Sequence, residues 1–156
     1  MNNKEAGFTF VELLLVLTVT MIICSLSLVL GKAKLDERMA NQFLYQLMLD
    51  IEQVQSESIG SGIISYLEFI DDGKKYRAYT LVDSEGGGNS PLNTRRYYLT
   101  RELPEGVTYS YNSPLRQIKI DSQGTFSSFG TLVFLTPTGN KSLIINIVKG
   151  RMKIVE

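Results

Sequence analysis

Histidine does not occur in this chain of 156 residues, which removes the commonest general base and the commonest metal ligand together. That weighs heavily against many hydrolases. The single cysteine, Cys24, lies inside an apolar run, so neither an internal disulfide nor a cysteine zinc cluster can form. The folded part must hold by packing alone. Nor does either charge prevail: 16 Lys and Arg face 16 Asp and Glu, which leaves no long-range field toward DNA or anionic lipid. A partner that reads charge has to be met by a local patch. The length beyond the apolar run is enough for one modest domain.

What is present begins with "GFTFVELLLVLTVTMIICSLSLVL", residues 7–30. From Phe8 to Leu30 the run contains one charged residue, Glu12, and neither Gly nor Pro. As a helix rising about 1.5 Å per residue it reaches roughly 34 Å, enough to cross a hydrocarbon core of about 30 Å. It is longer than the apolar stretch of a secretory signal peptide and runs on into "GKAKLDERMANQF" without a small-residue cleavage site. A lipoprotein signal is disfavoured because Ile23 precedes Cys24. A plain single-pass anchor fits the length but leaves Glu12 unexplained. An acidic residue at a helix centre in lipid costs roughly 2.5–3.5 kcal/mol, less near an end, and such residues mark a function with a partner. That partner must be a cation, and the run offers none.

The segment "KEAGFTFVE", residues 4–12, resembles the class III signal of type IV prepilins: a short polar leader ending in glycine, a phenylalanine, then glutamate at the fifth position of the mature chain. The resemblance implies that a membrane prepilin peptidase cuts between Gly7 and Phe8 on the cytoplasmic side and methylates the new Phe8 terminus. It also implies that Glu12 meets the free amine of a neighbouring subunit during filament assembly. This supplies the missing cation: two unit charges about 4 Å apart gain on the order of 4 kcal/mol at an effective dielectric near 20.

Beyond the run, Leu35, Met39, Phe43, Leu47, Ile51 and Val54 recur at intervals of three or four, which predicts an amphipathic helix from Lys32 to about Ser58. Asp36, Glu37, Arg38, Asn41, Gln42, Gln46, Asp50 and Glu52 are assigned to its solvent side. Gly60-Ser61-Gly62 is expected to end it. Downstream, eight short segments rich in β-branched and aromatic residues read as antiparallel strands: "IISYLEFI", "KYRAYTLV", "TRRYYLTREL", "GVTYSY", "LRQIKI", "TLVFLT", "SLIINIV" and "RMKIVE". Asp72-Gly73 and "TPTGN" are expected hairpin turns, and 83–94, "DSEGGGNSPLNT", a surface loop. The expected class is therefore α+β, a long N-terminal helix packed on one or two antiparallel sheets, a layout that pilins share. The expected divisions are a leader at 1–7, a membrane and assembly half-helix at 8–30, and an extracytoplasmic domain at 31–156, helical over 31–58 and β-rich over 63–156.

No catalytic constellation emerges. "TGNKS" lacks the glycine and the strand-loop-helix context of a phosphate loop. Asp71 and Asp72 suit a turn better than a metal site. The serines have no histidine partner. No enzyme activity, cofactor or metal is expected. The C-terminus is different: from 141 to 156 the charges are Lys141, Lys149, Arg151, Lys153 and Glu156. Two readings stand, an edge strand whose cations face water and discourage pairing, or a patch for DNA phosphates that would bind weakly and with strong salt dependence. Tyr97, Tyr98, Tyr109 and Tyr111 are candidates for base stacking, although strand tyrosines usually pack.

"FGTLVFLTPTGNKSLIINIVKGRMKIVE" is similar to the end of H-type pseudopilins and of FimT-group minor pilins, and Gly150-Arg151-Met152-Lys153 matches the Gly-Arg-x-basic segment of their DNA-binding members. The short length, compact leader and lack of cysteine pairs look most like the ComGD group, the H-like minor pseudopilins of Gram-positive competence systems. The resemblance implies a minor pilin-like structural subunit of a competence pilus for DNA uptake in natural transformation. The alternatives are a DNA receptor acting through Lys141, Lys149, Arg151 and Lys153, a type II secretion pseudopilin without a DNA role, and an anchored enzyme. The implied partners are other major and minor pilin subunits, the prepilin peptidase, membrane lipid along 8–30, and DNA. The implied location is a single pass of the cell membrane, N-terminus cytoplasmic and domain outside, then the cell surface once assembled.

Overall fold

The computed structural model describes the backbone of residues 9–83, 93–146 and 151–155. Helix α1 spans Phe10–Ser61, and the chain divides into two compact units, one up to Leu35 and one from Asp36 onward. Most of the expected loop 83–94 lies outside the described residues.

In the first unit the described apolar side chains are largely exposed. Leu13, Val16, Leu17, Met21 and Leu26 are between 47% and 62% exposed, and the helix is long and apolar enough to cross a membrane by length and composition. Its hydroxyls are satisfied within the helix. Thr18 donates to the carbonyl of Leu15, and Thr20, Ser25 and Ser27 to those of Val16, Met21 and Ile23, all at 2.8–2.9 Å. Hydroxyls that bond their own backbone carry little unsatisfied polarity into hydrocarbon.

The helix behaves differently from Asp36 on. Ala40, Phe43, Leu44, Leu47, Ile51, Val54 and Ser58 are buried at the three- and four-residue intervals of one helix face. The expected stripe is corrected at its N-terminal end. Leu35 and Met39 are exposed, and the buried face starts at Ala40, whose small side chain the hydrophobic pattern passed over. Asp50, assigned to the solvent side, is 1% exposed.

The end of the helix falls where the glycines predict. Gly62 takes φ 67°, in the left-handed region that glycine enters without Cβ strain. The buried Ser58 hydroxyl lies 2.7 Å from the carbonyl oxygens of both Ile63 and Asp121, so one donor fastens the helix end to the sheet.

Among the described residues eight strands follow: β1 (Ser65–Ile70), β2 (Lys75–Asp83), β3 (Asn93–Glu102), β4 (Thr108–Tyr109), β5 (Gln117–Ile120), β6 (Gly130–Thr136), β7 (Gly139–Ile145) and β8 (Met152–Val155). They form two antiparallel four-stranded sheets, one ordered β3-β2-β1-β5 and the other β4-β6-β7-β8. The segment expected as "GVTYSY" pairs over two residues only. The chain crosses to the second sheet for β4, returns for β5 at the edge beside β1, and crosses again for β6.

The β1–β2 turn uses Asp71, Asp72 and Gly73, all at positive φ. Gly73 also accepts a hydrogen bond from the Tyr109 amide, 2.9 Å away, and a Cβ on Gly73 would collide with the Tyr109 carbonyl oxygen. A bare backbone is required at this junction of the sheets. The β6–β7 connection is the expected tight hairpin, two residues between Thr136 and Gly139.

Between helix and sheets lies an aromatic cluster. Phe43 of α1 packs edge-on against Phe134 of β6 at 5.4 Å, and Phe69 of β1 stacks on Tyr109 of β4 at 4.1 Å. Rings of this size bury much of the apolar surface that stabilises a small domain.

Candidate functional site

Gly7 and Phe8, the expected processing residues, lie outside the described residues. The backbone takes up at Thr9, which caps the helix. Its carbonyl accepts from Leu13 N–H at 3.2 Å, and its hydroxyl accepts from Glu12 N–H at 3.3 Å. Thr9-x-x-Glu12 thus has the spacing of a capping box. The first-turn position sets the Glu12 carboxylate near the positive end of the helix dipole, which favours an anion by a fraction of a kcal/mol up to about 1 kcal/mol. Glu12 is exposed and makes no salt bridge among the described residues. In lipid the dipole would offset only part of the cost of a carboxylate, and among the described residues no full cation pairs with it. Below it Leu13, Val16, Leu17, Thr20, Met21 and Cys24 line an open apolar face of the helix.

Of the four C-terminal cations, the three that are described do not share one face. Lys149 lies outside the described residues. Ile144 pairs with Lys153, and Asn146 N–H donates to the Arg151 carbonyl at 3.0 Å. Arg151 and Lys153 therefore share one face, and both are exposed. Lys141 is on the other, the face of Leu143 and Ile145, and is 5% exposed. The expected patch is corrected by strand alternation: the tight hairpin draws Lys141 into β7, where odd-numbered residues point inward. Among the stacking candidates, Tyr109 is 2% exposed and donates to the Leu115 carbonyl at 2.6 Å, which makes it a packing residue. Tyr97 and Tyr111 are about half exposed, at 45% and 48%.

Reasoning from the sequence missed a polar cluster beside the core. One Asp50 oxygen accepts from the Tyr76 hydroxyl and from Arg101 Nε, and the other from Gln46 Nε2 at 2.8 Å. A buried carboxylate with three donors is satisfied, and it ties α1 to β2 and β3. Burial first, then the hydrogen bond to Asp50, holds the Tyr76 hydroxyl well above the usual tyrosine pKa. It remains a neutral donor across the ordinary pH range.

Residues 2–28 match the prokaryotic N-terminal methylation motif. The fold is similar to that of the minor pseudopilin EpsH from the type 2 secretion system of Vibrio cholerae, with TM-score 0.52 and 16% identity over 77% of this chain and 96% of that one. It is also similar to the type IV minor pilin FimU of Pseudomonas aeruginosa, with TM-score 0.50 and 14% identity over 81% and 92%. No curated protein sequence matches the chain. At these identities the likeness is one of architecture. The chain joins an N-terminal methylation motif to a type IV pilin-like fold, a long N-terminal helix packed on antiparallel sheets.

Proposed function

We propose that this chain is a minor pilin-like structural subunit of a competence pilus for DNA uptake, held in the membrane as a precursor, cut between Gly7 and Phe8, methylated on Phe8, and assembled through its apolar helix. The observation that carries the reading is Glu12: a carboxylate at the head of an exposed apolar helix, within a methylation motif and with no salt bridge among the described residues. A neighbouring subunit's terminal amine supplies the charge, and the partners are other major and minor pilins, the prepilin peptidase and lipid along 8–30. The helix crosses the cell membrane once with its N-terminus cytoplasmic and the sheets outside, at the cell surface after assembly. Glu12→Gln tests it. Cleavage should persist, because the cut precedes Phe8, while incorporation into filaments should fall severely; normal filaments from this variant would remove the assembly role.

A second reading, a DNA receptor, is favoured by the exposure of Arg151 and Lys153 on one face. Lys149 belongs to that reading by sequence proximity, whereas the buried Lys141 does not. The Arg151→Ala, Lys153→Ala pair should weaken duplex binding and flatten its dependence on salt. A type II secretion pseudopilin shares the fold; a DNA translocase rather than a secretin encoded beside this chain is the outcome that favours competence.

A further inference from the structure

The outward face of the sheet β3-β2-β1-β5 carries an arrangement that lies outside the main core cluster. Register aligns Lys119, Tyr66, Tyr79 and Tyr97 in one row across all four strands. Tyr66 stacks on Tyr79 with centroids 5.2 Å apart and planes 15° apart, and Tyr97 meets Tyr79 edge-on at 5.6 Å. Cations lie on the rings: Arg77 over Tyr97 at 4.4 Å, Arg95 over Tyr79 at 4.8 Å, and Lys119 over Tyr66 at 6.0 Å. Cation–π pairs of this kind occur about once in 70–80 residues, so three on one sheet face mark a local concentration. Glu68 accepts from Arg77 at 2.6 Å and Arg95 at 3.4 Å. It fixes both guanidinium groups while leaving the row cationic, three positive charges to one negative, in a chain with no net charge.

We propose that this face binds single-stranded nucleic acid, with bases stacking on Tyr97 and on the outward planes of Arg77 and Arg95, and phosphates meeting the guanidinium edges and Lys119. Tyr79 itself is 4% exposed; it is the floor that orients Arg95 rather than a surface for a base. Aromatic and guanidinium planes in a row accept any unpaired base, and the flanking cations follow the backbone. In a duplex the bases are already stacked on one another, so the row has nothing to engage. An acidic peptide would satisfy the cations but leave the aromatic row unused. The inference shares only the class of partner with the DNA-receptor reading and uses a different sheet from Arg151 and Lys153.

The test is fluorescence anisotropy of a labelled oligothymidylate with the full chain in detergent micelles. The single strand should bind, a duplex of equal length should bind more weakly, and Tyr97→Leu should weaken single-strand binding about 5- to 100-fold while Tyr97→Phe stays within about twofold. Because the chain has no tryptophan, Tyr97→Trp supplies a lone reporter whose emission should be quenched by the oligonucleotide. The loss caused by Tyr97→Leu should persist in an Arg151→Ala, Lys153→Ala background. No binding, unchanged affinity in Tyr97→Leu, or displacement by polyglutamate as effective as by unlabelled oligonucleotide overturns the proposal. Loss of binding only in the Arg151, Lys153 pair overturns it too, while sparing the DNA-receptor reading.

Discussion

Helix α1 is built for two solvents. From Val11 to Leu26 its leucines and valines are about half exposed or more, and its hydroxyls close on carbonyls three or four residues back in the same helix. From Ala40 onward Leu44, Leu47, Ile51 and Val54 are at most 1% exposed, and Ser58 bonds to carbonyls as distant as Asp121. The first stretch closes its described hydroxyls on its own backbone, and among the described residues Glu12 makes no salt bridge. The second is incomplete without the sheets. One element thus joins a stretch that packs on nothing described to a stretch that completes a fold.

The contrast is sharpest at paired leucines. Leu47→Ala should destabilise the folded unit by about 2–5 kcal/mol, through lost burial and the cavity left behind, whereas Leu17→Ala should change it by less than about 0.5 kcal/mol. Urea titration of the sheet signal in detergent measures both, and comparable losses would break the division. Asp50→Ala comes next, at about 1–3 kcal/mol, because Tyr76 and Gln46 lose their acceptor while the half-exposed Arg101 turns to water. A change near zero would mean that the cluster is ornamental to the helix–sheet joint.

Tyr76 adds a pH signature. Its hydroxyl holds its proton past the ordinary tyrosine range, while in the unfolded chain it ionises near pH 10. The native state then retains a proton that the unfolded state has lost, so this contribution is fully present below about pH 10 and declines above it by about 1.4 kcal/mol per pH unit. Tyr76→Phe should flatten that decline in alkaline denaturation. The smallest effect belongs to the membrane side. Thr20→Val removes a hydroxyl bonded only to its own helix, and should leave both the folded unit's urea midpoint and membrane insertion unchanged within about 0.5 kcal/mol.

Local signals were legible in the sequence. Turn chemistry at Asp72-Gly73 and Gly62, the alternation of eight strands, and the length of the apolar run each depend on neighbours in the chain. What stayed hidden depends on distant partners. Asp50 looks like any surface acid until Tyr76 and Arg101, 26 and 51 residues on, are brought to it. Lys141 was misjudged because a strand begun at Ser142 leaves it in the turn, whereas the two-residue hairpin places it in the ladder opposite Phe134. The row Lys119, Tyr66, Tyr79 and Tyr97 needs the register of four strands, including the bulge after Ala78, and no local pattern encodes it.

The account depends on Glu12 being kept in lipid by a cation carried on another molecule, and a peptidase must create that cation by exposing a new terminus. Mass spectrometry of the N-terminal peptide, isolated from membranes of cells that express the chain from its own locus, measures this directly. The predicted result is a peptide beginning at Phe8 and heavier by one methyl group; a chain that still begins at Met1 under every growth condition would contradict it.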